Sequence, residues 1–346
     1  MTPKEIFTRL KTIADPKLGD DIVTLGIVEQ IDVDPEIVRI QLALHAPHAP
    51  DETQIASMIR DELSDIDREI ELVVPQLHTD ESVERPVPSI KNIIAVSSGK
   101  GGVGKTTVAV NTAQALADRG ARVGLLDADL YGPNVPRMIG NGDGPRLDDE
   151  TDSLHPPKRG GIKVMSLGFL VPDKEAAVMR GPMVDSTLER LLIDVEWGQL
   201  DYLVVDLPPG TGDAQLTLAQ TVPITGAVIV TTPQSVSTDD VHRALHMFAG
   251  QSIPVLGIVE NMRTFTCPTC GDDHDLFGRG GGENVAAEYD LPFLGAVPID
   301  PKLREIADDD ERIGTFGEEG PTREFREIAN GIANGIGTLR RRGVTT

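Results

Sequence analysis

Ten residues, Ser98-Gly99-Lys100-Gly101-Gly102-Val103-Gly104-Lys105-Thr106-Thr107, restrict the fold of this chain more than any other stretch. They follow the apolar run Ile93-Ile94-Ala95-Val96 and precede a helical pattern from Val108 to Arg119. Strand, glycine-rich turn and helix, in that order, form the setting in which a backbone can wrap a phosphate. Gly99, Gly104, Lys105 and Thr106 meet the spacing G-x-x-x-x-G-K-[ST]. The glycines let N–H groups turn inward, and the helix N-terminus adds partial positive charge. In this pattern Lys105 is expected at the β- and γ-phosphates of a nucleotide, with the Thr106 hydroxyl on Mg²⁺.

From Ile90 apolar strands alternate with helical stretches. Strand cores are predicted at Ile93–Val96, Val123–Leu126, Ile162–Leu167, Tyr202–Val205, Ala227–Thr231, Val255–Val259 and Phe293–Val297. Their near-continuous apolar character predicts an α/β fold, a mostly parallel sheet covered by helices on both faces. Ligands of such sheets lie beyond the carboxyl ends of the strands. The informative motifs fall there, after Val96, Leu126, Val205 and Val259. Residues 1–80 read differently, as a small α+β domain. Its expected elements are a helix at Ile6–Ala14, strands at Ile22–Val28 and Ile37–Leu44, a helix at Asp51–Leu63 and a strand at Ile70–Val74. Residues 81–89, with Pro86 and Pro88, are the expected linker, and 90–346 the nucleotide-binding domain.

Fifty-five acidic against 32 basic residues give a formal charge of −23. Such a surface repels nucleic acid and anionic lipid, so neither is an expected partner. Arg outnumbers Lys 22 to 10, and acidic runs such as Asp148-Asp149-Glu150 and Asp308-Asp309-Asp310-Glu311 recur, a bias that fits a halophilic protein solvated in concentrated salt. The first residues lack the basic-then-apolar layout of a signal peptide, and no run of about 20 apolar residues is present, which predicts a cytoplasmic location.

Carboxylates stand at two of the strand ends. Asp127 and Asp129 leave the second strand at i and i+2, placed either to cap the next helix or to bind Mg²⁺ through water. Asp206 follows Leu203-Val204-Val205 and heads Leu207-Pro208-Pro209-Gly210-Thr211-Gly212-Asp213, an arrangement suited to Mg²⁺, with the Gly210 N–H available to a γ-phosphate. The two cysteines of the chain, Cys267 and Cys270, form a C-x-x-C turn. A disulfide across so small a loop would stabilise little, so a paired thiolate site for metal or redox chemistry is expected.

The extra lysine, Lys100, makes the loop Lys-Gly-Gly-Val-Gly-Lys-Thr-Thr, the deviant Walker A signature. From here on the chain resembles the family of ParA, MinD, nitrogenase iron protein and Mrp-type ATPases. Val259-Glu260-Asn261-Met262 followed by Cys267-Pro268-Thr269-Cys270 resembles its Mrp/ApbC branch, as do Arg180-Gly181-Pro182-Met183 and Phe277-Gly278-Arg279-Gly280-Gly281-Gly282. Residues 1–80 resemble the iron–sulfur-assembly domain often placed ahead of such ATPases.

The resemblance implies binding of ATP and Mg²⁺ by Gly99, Gly101, Gly102, Val103, Gly104, Lys105, Thr106 and Thr107. It implies that Lys100 crosses a homodimer interface to the other nucleotide, that Asp129 positions the attacking water, and that Asp127 supports the loop lysine and the Mg²⁺ shell. Asn261 matches a purine-contacting asparagine, and Gly295–Asp300, with Pro298, resembles the other base-binding loop; an ordinary turn stays open for both. Hydrolysis is expected to be slow and coupled to transfer of a [4Fe–4S] cluster to apo iron–sulfur proteins, the cluster itself coming from an assembly scaffold.

A [4Fe–4S] cluster usually takes four cysteines, and two chains related by a twofold axis supply them. Zinc is the alternative, since His274 follows Cys270 by four and offers a third ligand. A partitioning ATPase would want a basic patch beyond the short Leu339-Arg340-Arg341-Arg342-Gly343 tail, and an electron donor of the nitrogenase type uses cysteines far apart in sequence. The chain departs from its relatives at His45-Ala46-Pro47, where alanine replaces an expected cysteine; a docking role for the first domain fits better than a thiol role.

Overall fold

A computed structural model of the protein describes residues 2–74, 87, 89–129, 132–140, 144–148, 150, 153–170, 181–210, 212, 215–216, 219–220, 222–303 and 321–343. Most of the expected linker, together with Arg180, Thr211 and Asp213, lies outside them. The chain divides into two compact units, Met1–Val83 with Ala333–Thr345, and Glu84–Ile332. None of the described helices is long and apolar enough to cross a membrane.

The first unit runs α1 (Pro3–Leu10), β1 (Val28–Val33), β2 (Ile37–Leu42), α2 (Pro50–Glu62) and β3 (Glu69–Val73). Helix α1 starts at a capping box: Thr2 accepts from the Glu5 N–H, Glu5 accepts from the Thr2 N–H at 2.7 Å, and Pro3 opens the first turn. The sheet order is β1-β2-β3, antiparallel then parallel. Ile6, Leu10, Ile40, Leu42, Ile55 and Ile59 are fully buried between helices and sheet.

The strand expected at Ile22–Val28 is not formed. The Asp21 carboxylate accepts from the N–H groups of Val23 and Thr24, and Gly26 takes φ +71°, so these residues turn. Ile22 and Ile27 still reach the core, but from a turn, and the ladder begins only at Val28. A short apolar run does not by itself distinguish these outcomes.

Residues Ala333–Thr345 belong to this unit and bring it a buried charge cluster. Arg341 lies 2.6 Å from Asp15 and 3.4 Å from Glu52, all three side chains at most 4% exposed. Glu52 also accepts from the N–H groups of His45 and Ala46, at 3.1 and 3.0 Å. The loop carrying the cysteine-to-alanine departure is therefore held by a carboxylate, and Ala46 is fully buried.

The second unit runs β4 (Ile90–Ser97), α3 (Lys105–Ala117), β5 (Val123–Asp127), α4 (Val135–Ile139), β6 (Arg146–Leu147), β7 (Leu154–His155), β8 (Lys158–Arg159), β9 (Ile162–Ser166), α5 (Gly181–Ile193), β10 (Leu200–Asp206), β11 (Gly226–Thr231), α6 (Ser235–Gly250), β12 (Val255–Thr266), β13 (Asp273–His274), α7 (Gly281–Glu288), β14 (Phe293–Ile299) and α8 (Thr322–Arg341), whose last residues lie in the first unit. The main sheet has the order β13-β12-β11-β4-β10-β5-β9-β8, with β14 also on β12. Pairing is parallel from β9 across to β14 and antiparallel at β8 and β13.

Strands β5, β10 and β11 are buried at every residue, as a sheet covered on both faces requires. Register sets Asp206 opposite both Val96 and Asp127, so the ends of β4, β5 and β10 meet at one edge. Helix α3, buried along nearly its whole length, anchors the loop between itself and β4.

Removing one partner of a buried ion cluster strands the others without compensation. The Arg341→Ala variant is expected to lose about 3 kcal/mol of stability in the first unit. Hydrogen exchange of the β1–β3 amides in urea measures it, and unchanged protection would show that the cluster adds no net stability.

Candidate nucleotide and metal site

The loop after β4 ends at Gly104, which caps α3 at φ +82°, a conformation suited to glycine. Space demands glycine as well: a Cβ there would lie 2.0 Å from Asn261 Nδ2. That amide, 5% exposed, donates to the Val103 carbonyl at 2.8 Å. Gly102 is also left-handed, at φ +80°, and Gly99 packs against the backbone of Asp240. The Lys100 carbonyl accepts from the Ser98 hydroxyl at 3.0 Å.

A cavity of about 400 Å³ opens over this loop, bordered by Lys100, Gly101, Gly102, Gly104, Lys105, Thr106 and Thr107, and further by Asp129, Pro209 and Met262. The first turn of helix α3 borders that space, the end of a helix whose N–H groups favour an anion.

Beneath the loop lies a buried charge cluster. Lys105 Nζ sits 2.5 Å from Asp206 Oδ1, the two side chains 6% and 1% exposed. Asp206 Oδ2 is buried with no hydrogen-bond partner among the described residues. The Thr106 hydroxyl lies close enough to the Asp206 carboxylate to favour its charged form, and a carboxylate beside a threonine hydroxyl is a donor set of the hard oxygen kind that Mg²⁺ takes, so the site fits the ion. Lys105 neutralises the carboxylate, a task that Mg²⁺ would share when bound.

Asp127 is an organiser. Its Oδ1 accepts from the Asp129 N–H, and its Oδ2 accepts from the Val135 N–H and the Ser166 hydroxyl, each at 3.1 Å. Both ends of the segment from Asp129 to α4 are thus tied to one carboxylate. Burial, with the Asp206 charge behind it, pushes the Asp127 carboxyl up to about 7, against the opposing pull of its backbone donors and Lys105. Asp206 is raised by burial too, with Lys105 opposing.

Gly210, at φ +91°, donates its N–H to the Ser98 carbonyl at 3.1 Å, so the turn after β10 rests on the phosphate loop. Gln215, 1% exposed, donates to the Pro208 carbonyl and accepts from the Ser97 hydroxyl at 3.4 Å. Gln215 and Ser166 escaped sequence reasoning. Each acts from outside a recognisable motif, and only the fold brings it in; Met262 stands inside the motif that carries the resemblance but had no role assigned to it. Pro298 lies within β14, one residue past Val297, which pairs with Asn261; it does not border the cavity.

Strand β12 continues beyond Asn261. Met262 adopts φ +59°, strained for a long side chain by about 1–2 kcal/mol, and the β12–β14 register shifts between Asn261 and Phe265. The strand then runs to Thr266 and leads into the thiol turn. The Cys267 N–H donates to the Asp272 carbonyl at 2.9 Å, and the Gly271 N–H returns to the Cys267 carbonyl at 2.8 Å, with Gly271 at φ +79°. N–H groups of Cys270 and Thr269 hold the Cys267 thiol below its ordinary value, favouring thiolate. Both cysteines are free thiols, and their sulfurs and a ring nitrogen of His274 lie within 4.8 Å of one another. This donor set takes soft or borderline metals, an iron–sulfur cluster or zinc.

A family model described as a NUBPL iron-transfer P-loop NTPase matches residues 89–334, and one described as an iron–sulfur cluster assembly protein matches residues 3–72. The iron–sulfur cluster carrier protein of Deinococcus radiodurans is 44% identical over 301 residues, covering 86% of this chain and 85% of that protein. Among solved structures, a nucleotide-binding protein from Archaeoglobus fulgidus in complex with ADP, with Co found in it, is 43% identical at a TM-score of 0.56, covering 64% of this chain and 86% of that one. The cell division ATPase MinD of Pyrococcus furiosus, 23% identical at a TM-score of 0.54 and covering 70% of this chain and 98% of that one, shares the fold.

Because Asp127 holds a proton more tightly in the fold than an unfolded aspartate does, its contribution to stability is present at low pH and fades as pH rises through about 7. Mg²⁺ bound beside the same carboxylates would compete with that proton. Binding of Mg–ATP near pH 7 is therefore expected to release a fraction of a proton, seen as binding enthalpies that vary with the ionisation heat of the buffer. The Asp127→Asn variant should lose this variation; buffer-independent enthalpies in the parent would contradict the assignment.

Proposed function

The chain belongs to the NUBPL family of iron-transfer P-loop NTPases, and on that footing we propose that it is an ATP-dependent iron–sulfur cluster carrier. One observation carries the reading: strand β12 holds Asn261 against the phosphate loop and, six residues on, ends in the thiol turn at Cys267. The nucleotide site and the metal-holding turn are built on the same strand.

In this reading the cargo is a [4Fe–4S] cluster shared by two copies of the chain, each giving Cys267 and Cys270, in the cytoplasm. It passes from an assembly scaffold to apo iron–sulfur proteins. The loop from Gly99 to Thr107 binds the triphosphate of ATP, and Thr106 and Asp206 hold Mg²⁺. Asn261, which braces the phosphate loop at Val103, is the contact to the base, and Pro298 stands outside the cavity. During hydrolysis a water oxygen bonds the γ-phosphorus while the bridge to the β-phosphate breaks, and ADP and phosphate leave. Lys105 and, from the second copy, Lys100 stabilise the charge on the transferring group, and Asp129 orients the water. Asp127 connects Asp129 to α4, and Gly210 connects the turn after Asp206 to the loop, so loss of the γ-phosphate would release both segments. The −23 charge and the small exposed thiol turn suit a carrier that meets protein partners and lets its cargo go.

Two experiments test this reading. Lys100→Ala should lower turnover by roughly 10³-fold, the scale of a charge-stabilising group supplied in trans, while ATP still binds; a variant with full turnover would remove Lys100 from the mechanism. Anaerobic reconstitution with iron and sulfide should give four irons per two chains, and none with Cys267→Ala. Tightly held zinc with no cluster in the parent protein would overturn the carrier reading.

A further inference from the structure

The hairpin beyond Asn261 is more ordered than a pair of thiols requires. Strand β13 pairs with the end of β12 in the register Phe265 opposite His274 and Thr266 opposite Asp273. Two side-chain hydrogen bonds lock it, Thr266 to Asp273 at 2.6 Å and Thr264 to Asp275 at 3.3 Å. Side chains alternate along a strand, so these threonines and aspartates share one face, and His274 lies on the other. Its ring is thereby returned toward the turn, with a nitrogen within 4.8 Å of both sulfurs.

Around a tetrahedral ion, with metal–sulfur and metal–nitrogen distances of about 2.3 and 2.0 Å, donor atoms stand roughly 3.5–3.8 Å apart. Closing from 4.8 Å takes about 1 Å of side-chain rotation, and Cys270 and His274 are exposed and free to make it.

Donor arithmetic points the same way. A cluster of four irons takes four protein ligands, yet two chains bring four thiols and two imidazoles. The imidazoles are surplus to a shared cluster, while imidazole with two thiolates is an ordinary set for one divalent ion of the later first-row metals.

We propose that Cys267, Cys270 and His274 of a single chain form a complete three-donor site for one divalent transition-metal ion, with a fourth position open and no need of a second copy. The inference rests on the reading of the thiol turn as the metal-holding element, and is independent of the cluster and of ATP hydrolysis. The chain then has two metal states: one ion per chain on two sulfurs and a nitrogen, and a shared cluster on four sulfurs. His274 is the ligand released when a second pair of thiolates arrives.

Cobalt(II) is the probe, added to the full, reduced, metal-free chain under anaerobic conditions. Its visible absorption reports tetrahedral sulfur–nitrogen coordination, and sedimentation gives the oligomeric state. One Co²⁺ per chain on a monomer is expected. His274→Ala should weaken binding by at least about tenfold and shift saturation to one ion per two chains, while His274→Cys should restore one per chain with a more sulfur-rich spectrum. Unchanged affinity and spectrum in His274→Ala, or one ion per two chains in the parent, overturns the proposal. Reconstitution with iron and sulfide separates the two readings. His274→Ala retains all four thiols per pair of chains and should still assemble a cluster. If neither protein assembles one while the parent still binds cobalt one to one, the carrier reading fails and the mononuclear site stands.

Discussion

The phosphate loop and the strand ends beneath it are arranged around one buried charge group, Lys105 paired with Asp206 and Asp127 beside Asp206 on the next strand. Three groups of this kind are costly to bury, and a fold keeps them only when each is held in place. Here the holding is structural: Lys105 on the first turn of a buried helix, Asp206 and Asp127 on adjacent central strands in direct register. Lys105 closes one side of the group, and three hydrogen bonds to Asp127 close another. What is left over is one buried oxygen of Asp206 with no hydrogen-bond partner among the described residues. The parallel sheet and its crossover helices are the means by which these groups meet without water.

The parts of this arrangement that were legible in the sequence are those with local causes. Glycines at left-handed positions, a lysine at the start of a helix and an aspartate after an apolar run are each dictated by neighbours in the chain, and all stand where their spacing implies. The seven expected strand cores of the second unit fall on strands, Leu167 excepted, and in the central β5, β10 and β11 burial on both faces explains the continuous apolar run. Ile22–Val28 was misleading because burial there is achieved by a turn, and burial without alternation carries no secondary-structure signal.

Long-range participants were silent. Ser166 reaches Asp127 only because β9 pairs with β5, and Gln215 supports the Pro208 turn from beyond the strand end. Arg341 finishes a charge cluster begun at Asp15 and Glu52, and nothing in the tail's basic composition announces that its arginine is buried rather than solvated. Composition describes a surface on average; it does not say which member of a charged run has been taken inside.

Strand β12 has a consequence for how this chain can vary. Asn261 lies on this strand six residues before Cys267, which follows its last residue, and the left-handed Met262 between them falls at the register shift against β14. In extended backbone each added or deleted residue turns all that follows to the opposite face. A single insertion between Met262 and Cys267 would leave every one of these side chains present, yet turn Cys267, Cys270 and His274 together to the opposite face relative to Asn261. Substitutions in this stretch are tolerable wherever the backbone path survives, whereas a change of its length is not. The six-residue spacing is thus itself a functional element, one that a catalogue of ligand residues would pass over.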